Sequence, residues 1–145
     1  MSSSLRTSAI RLLARREHSK FELKNKLLKS GFSASEIDSL LQELEQEKLQ
    51  SDERFVESYI NMRAGRGFGP LKIIAELRSK GIDKITIERL CSTHATSWSD
   101  LAEKQYHKKF GNGQPKDRTE LAKRIRYLLG KGFTMEQFKS YIDYE

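Results

Sequence analysis

The sequence predicts an all-α protein of three tandem three-helix modules, helical repeats in an elongated, curved arrangement. Three observations lead there. Gly31, Gly81 and Gly132 recur at spacings of 50 and 51 residues, each followed by an apolar side chain, Phe32, Ile82 or Phe133. Apolar residues flank these glycines in matching register: Leu27, Leu77 and Leu128 four before, Ile37, Ile87 and Phe138 six after. Leu40, Leu90 and Tyr141 follow at nine, and Leu41, Cys91 and Ile142 at ten. A period of this size with matched apolar positions signals stacked supersecondary units. Finally, no stretch of four or more residues alternates at period two, so no sheet is expected.

In chain order, residues 1–6 read as an N-terminal tail. Module 1 covers 7–50. Ile10, Leu12 and Leu13 mark its first helix, and Ser19 caps a second carrying Leu23, Leu27 and Leu28. Gly31 ends that helix in the left-handed conformation, where a residue without Cβ is least penalised. Ser33 to Glu36 then forms a capping box before Ile37, Leu40, Leu41 and Leu44. Module 2 covers 51–94 and repeats the plan with Phe55, Val56, Tyr59 and Ile60, then Leu71, Ile74 and Leu77, then Ile87 and Leu90. Module 3 covers 95–145. Its first helix rests on Trp98, Leu101, Ala102, Tyr106 and Phe110, its second on Leu121, Ile125, Leu128 and Leu129. Gly111 to Pro115 reads as a loop between them.

With 145 residues, 37% hydrophobic and 32% charged, the chain has too little apolar material for one deep core, which favours several thin ones. The 27 basic against 20 acidic residues give +7 and favour a polyanionic or acidic partner. The charge is uneven: eight basic residues against Glu17 and Glu22 between Arg6 and Lys29, and nine against Asp117 and Glu120 between Lys104 and Lys131. Single-sign fields are a liability to a small domain unless they serve binding. The single cysteine, Cys91, excludes an intramolecular disulfide and fits a reducing compartment. No run approaches the roughly 20 apolar residues of a membrane span. A cytoplasmic location, with no membrane attachment, is therefore expected.

Gly65-Arg-Gly-Phe-Gly69-Pro70 invites a phosphate-loop reading, but no Gly-Lys-Ser/Thr ending follows and no strand precedes it. It reads better as a turn with Pro70 at the first helical position. Cys91 and His94 make one pair where a structural zinc site wants four ligands, and Cys91 occupies an apolar repeat position, so no metal or cofactor is expected. No catalytic grouping clusters, and the protein is expected to act without enzymatic chemistry of its own. Basic residues interleave with aromatics in Tyr106 to Phe110 and Lys123 to Tyr127, a pattern suited to phosphate contact and base stacking. Arg63, Arg66, Lys72, Lys108, Lys109, Arg118, Lys123, Arg124 and Arg126 are the candidate partner- or DNA-binding residues, mostly on polar helix faces.

The most specific signal runs through module 2: Asp52, Arg54, Phe55, Tyr59, Ile60, Arg63, Gly65, Gly67, Gly69, Pro70, Ile73, Glu76, Leu77, Lys80, Gly81 and Ile82. This pattern closely resembles the central repeat of the RecX family of bacterial regulatory proteins, and the three-module layout extends the resemblance over nearly the whole chain. The resemblance implies a monomeric modulator that binds the RecA filament on single-stranded DNA, along its helical groove. It also implies limited filament growth and suppressed strand exchange, ATP hydrolysis and SOS-linked coprotease function. A general helical binder of single- or double-stranded nucleic acid, acting through basic faces, is the alternative from a different class. No helix presents the base-reading set of a helix-turn-helix transcription factor.

Overall fold

A computed structural model describes residues 2–140 and 142; Tyr141, the third member of one repeat position, lies outside them. The helices are α1 (Ser2–Arg15), α2 (Lys20–Lys29), α3 (Ala34–Gln46), α4 (Asp52–Gly65), α5 (Pro70–Ser79), α6 (Lys84–Thr93), α7 (Trp98–Phe110), α8 (Arg118–Lys131) and α9 (Met135–Phe138). No strand occurs among the described residues. α1 begins inside the segment expected to be a tail, because Leu5 is a core residue at 1% exposure.

Three helix ends are built alike. Gly31, Gly81 and Gly132 have φ of 95°, 83° and 103°. In each case the amide of the residue after glycine donates to the carbonyl five positions back: Phe32 to Leu27, Ile82 to Leu77 and Phe133 to Leu128, at 3.1–3.3 Å. The glycine amide donates to Leu28, Arg78 or Leu129. This pair of bonds is the Schellman closure, which satisfies carbonyls a helix end would otherwise orphan. It also explains the sequence period, since the leucine four before and the apolar residue one after the glycine meet across the closure.

Caps set the other ends. Ser19 and Glu22 form a reciprocal capping box, Glu22 N–H donating to Ser19 Oγ at 3.0 Å and Ser19 N–H to Glu22 Oε1 at 3.3 Å. At Ser33 the expected box is half made: Glu36 N–H donates to Ser33 Oγ, but Glu36 Oε1 accepts from the hydroxyl at 2.9 Å rather than from the Ser33 backbone. Asp117 caps α8, accepting from Glu120 N–H at 2.8 Å.

By packing, the chain divides into two compact units. Unit 1 comprises Met1–Ser58 and Leu77–Leu90; unit 2 comprises Tyr59–Glu76 and Cys91–Glu145. The middle three-helix segment is thus shared between them. In unit 1, Leu5, Ala9, Leu23, Leu27, Ile37, Leu40, Leu41 and Leu44 form a core with Leu12, Leu13 and Phe32 packed against it. Ile10 and Leu28, expected in that core, are exposed: α1 faces inward through Leu5 and Ala9, one turn apart, and Ile10 falls off that stripe. In unit 2, Ala102, Tyr106, Leu128, Phe133 and Phe138 are buried with Trp98, Leu101, Phe110, Ile125, Tyr127 and Ile142 against them. Leu71 (53% exposed) and Leu129 are likewise on the surface; in α5 the buried pair is Ile73 and Leu77, spaced i, i+4.

The α1–α2 junction in unit 1 is a polar joint. Ser19 Oγ donates to the Lys80 carbonyl at 2.9 Å, and Lys80 lies 3.7 Å from the Glu22 carboxylate. Asp52 accepts from Lys20 N–H and from the Gln50 amide, which also donates to the His18 carbonyl. His18 is buried at 1% exposure. Its Nδ1 lies 3.1 Å from the Arg16 carbonyl and its Nε2 2.9 Å from the Lys26 ammonium. These partners define a neutral ring, donating through Nδ1 and accepting at Nε2. Burial first, and then the charges of Arg16 and Lys26, hold this imidazole below its ordinary range, against the Arg16 carbonyl and Glu22.

Two predictions follow from these contacts. A Cβ on Gly31 would meet nothing within 4 Å, whereas one on Gly81 would sit 2.4 Å from Phe21 Cβ. Gly31→Ala should cost only the positive-φ penalty, roughly 1 kcal/mol, and Gly81→Val clearly more, read from urea midpoints. For His18 the folded-state pKa is depressed, so its contribution is complete above pH 6.5 and drains away as pH falls through the folded value. The melting temperature should therefore drop from about pH 6.5 to 5, and His18→Gln should remove that component.

Candidate partner-binding surface

The Gly65 to Pro70 turn is held by its own amides. Arg66 N–H and Phe68 N–H donate to the Arg63 carbonyl, Gly67 N–H to Ala64, Gly69 N–H to Lys131 at 2.7 Å and Leu71 N–H to Gly132 at 2.9 Å. With residue 70 a proline, none of these amides is left to cradle an anion, which disposes of the phosphate-loop reading on physical grounds. The glycines serve close approach instead. A Cβ on Gly69 would lie 2.6 Å from the Gly132 carbonyl carbon, and one on Gly132 2.6 Å from Lys72 Cβ. Two backbones cross here, joining the start of α5 to the end of α8 within unit 2.

That crossing gathers cations around Phe68. The Arg63 guanidinium carbon stands 3.8 Å from the ring centroid, Lys131 Nζ 4.1 Å and Lys72 Nζ 5.2 Å. Arg63 is fixed by a bidentate pair with Glu76, at 2.9 and 2.8 Å, and Tyr59 OH donates to the same carboxylate at 2.8 Å. Desolvation alone would raise the Glu76 carboxyl, but the bonds from Arg63 and Tyr59 and the charges of Arg63 and Lys72 outweigh it and hold it below the usual carboxylate range. Burial, followed by the charges of Lys72, Arg63 and Lys108, holds the Lys131 ammonium below the usual lysine range. Lys72, Lys108 and Lys131 make no ion pair among the described residues. Lys109 lies 5.5 Å over the Tyr127 ring.

Of the candidate residues, Arg63 and Lys72 are therefore brought together at Phe68, and Lys108 is exposed. Arg66, Lys109, Arg118, Lys123 and Arg126 are exposed. Arg124 is a correction: expected on a polar face, it is buried at 5%. It donates to Tyr106 OH at 2.7 Å, the Gly113 carbonyl at 2.6 Å and Glu120 Oε1 at 2.8 Å. Its place on the α8 wheel, between the core and solvent stripes, leaves it free to turn inward once Tyr106 and the 111–115 loop supply acceptors. Phe68, Lys131, Glu76 and Tyr59 were not nominated. The available signal was Lys131 preceding a repeat glycine as Lys80 does, with an aromatic set between two glycines.

Cys91 is buried, and its carbonyl accepts from the Trp98 indole N–H at 3.3 Å. His94 Nε2 lies 2.6 Å from Asn61 Oδ1. The two are thus committed to different packing roles. Among the described residues no group of three His, Cys, Asp or Glu side chains is placed to hold a metal, and no helix is long and apolar enough to cross a membrane.

Fold and surface together define a class, a helical-repeat protein of three-helix units with an aromatic-centred basic surface in its second compact unit. The chain belongs to the RecX family of regulatory proteins. Family models for the first, second and third RecX three-helix domains match residues 6–44, 51–89 and 99–142. It is 42% identical to Regulatory protein RecX of Legionella pneumophila (strain Corby), over 87% of this chain and 84% of that one. It is 36% identical to the protein of that name from Haemophilus influenzae (strain PittEE), over 98% and 95%. The crystal structure of RecX from Lactobacillus salivarius superposes with a TM-score of 0.81 at 21% identity, covering 97% of this chain and 93% of that one, a likeness of fold.

The Arg124 contacts yield a prediction. Arg124→Glu should cost roughly 2–4 kcal/mol, because it removes the bonds to Tyr106, Gly113 and Glu120 and puts a carboxylate in a buried position beside Glu120. Lys123→Glu and Arg126→Glu should each stay within about 0.5 kcal/mol of the parent, measured by chemical denaturation.

Proposed function

We propose that this protein regulates RecA by binding, without catalysis of its own. It docks on the RecA filament formed on single-stranded DNA, limits filament growth, and lowers strand exchange, ATP hydrolysis and the coprotease function tied to the SOS response. It does so in the cytoplasm, as a monomer with three modules at residues 7–50, 51–94 and 95–145. The observation that carries this reading is the succession of three RecX domains along the chain. The surface supports it physically: exposed cations in unit 2 without counter-charges suit a partner bearing phosphates or carboxylates. Arg63, Arg66, Lys72, Lys108, Lys109, Arg118, Lys123 and Arg126 are the contact residues; Arg124 supports the α7–α8 packing beneath them.

The test adds the protein to filaments preformed on single-stranded DNA and follows ATP hydrolysis and strand exchange. Both rates should fall with added protein, and Lys123→Glu with Arg126→Glu should weaken the inhibition several-fold while the melting temperature holds. A folded double variant that inhibits as well as the parent across a range of salt would remove the α8 face from the docking surface. Inhibition that follows the coating of naked DNA alone would favour the general nucleic-acid reading over a RecA-directed one.

A further inference from the structure

We propose that Phe68 and the cations around it, Arg63, Lys72 and Lys131, form a built site for a backbone phosphate of a nucleic-acid strand. This deepens the regulatory reading by giving its docking surface a chemistry, and rests on that reading for its biological use.

The first ground is a charge imbalance. Arg63, Lys72 and Lys131 share the Phe68 ring, and the Glu76 carboxylate beside them already takes Arg63 and Tyr59 on its oxygens. The ring face offsets part of the surplus, but cation–π attraction at a surface is weak. Burial first, and then the neighbouring like charges, depress the Lys131 ammonium, and a bound anion beside it would offset both.

A second ground is rigidity. The backbones that carry Lys72 and Lys131 are set by the Gly69–Gly132 crossing, where no Cβ fits on either glycine, and both ammonium groups lie against the Phe68 ring that the locked Arg63 also covers. Donors fixed before binding lose little entropy on binding.

The donor type selects the ligand. The planar fork of arginine, which matches carboxylate and phosphate alike, is spent on Glu76. What remains are ammonium groups approaching from different elements, the end of α8 and the start of α5. They suit a tetrahedral phosphate, whose oxygens accept along several directions. A strand fits better than a lone phosphate, because Lys109 over Tyr127 is a second cation–aromatic pair in the same unit, open to another nucleotide of the strand.

The experiment is a fluorescence-anisotropy titration of the full chain with a labelled single-stranded oligonucleotide of about 20 nucleotides across a salt series. It compares the parent with Lys72→Gln, Lys131→Gln and the double variant, and melting temperatures verify folding. Lys72→Gln alone keeps the test valid if position 131 proves structurally sensitive. The double variant should bind several-fold more weakly at low salt, with the slope of log affinity on log salt shallower by roughly 0.7, one phosphate's share on a single strand. Inorganic phosphate and ATP should compete poorly at matched phosphate concentration. Unchanged affinity and slope in folded variants would overturn the site, and competition by free phosphate as effective as by the strand would overturn the strand assignment. If the variants leave oligonucleotide binding intact but weaken binding to the RecA filament, the site takes an acidic protein surface and the phosphate proposal falls while the regulatory one stands. If they weaken oligonucleotide binding and the parent leaves RecA unaffected, the site stands and the regulatory reading falls.

Discussion

The joint between a glycine-ended helix and the start of a second helix some 60 residues earlier governs much of this structure. It occurs twice, at equivalent repeat positions. In unit 1 the Lys80 carbonyl receives Ser19 Oγ, in unit 2 the Lys131 carbonyl receives Gly69 N–H, and each carbonyl belongs to the residue just before a positive-φ glycine. The glycine ends its own helix and also lets another backbone or side chain approach to a distance no Cβ would tolerate. Cap, core register and surface all follow from it. The closure brings Leu27, Leu77 and Leu128 under Phe32, Ile82 and Phe133, and the crossing at Gly69 carries Lys72 to Lys131.

The fold was legible because the joint leaves a mark in sequence. A glycine at fixed spacing, with leucine four before and an apolar residue one after, is what the closure requires, and one chain displays it three times. Helix faces were read less well. Ile10, Leu28, Leu71 and Leu129 are leucines or isoleucines beside the true stripe, and hydrophobicity alone does not separate a core position from its neighbour 100° around the helix. The Leu5 and Ala9 face was missed because α1 starts earlier than the first strong apolar cluster.

The candidate surface was legible in part, for a different reason. Charge counts find basic segments, but which cations converge depends on the backbone crossing, which sequence does not display. Arg63 and Lys72 converge on Phe68; Lys131 completes the group although it sits in a glycine pair that reads as a turn. Arg124 fails in the opposite sense. Its fate was decided by Tyr106 and the Gly113 carbonyl, acceptors distant in sequence, and a buried arginine with such partners looks like any other surface arginine until the fold is known.

The division of the middle three-helix segment between both compact units bears on how such a chain is inherited and taken apart. Its repeats are units of sequence, as three successive domain matches attest, yet they are not units of cohesion. The first half of α5 belongs with helices that follow it, and its last turn with helices that precede it. The bond from Ser19 to Lys80 closes a loop of 61 residues, longer than a single repeat, so the polar joint of the first repeat is finished only when the second has been made. The middle repeat therefore cannot be cut out along its sequence boundaries without taking material from both compact units.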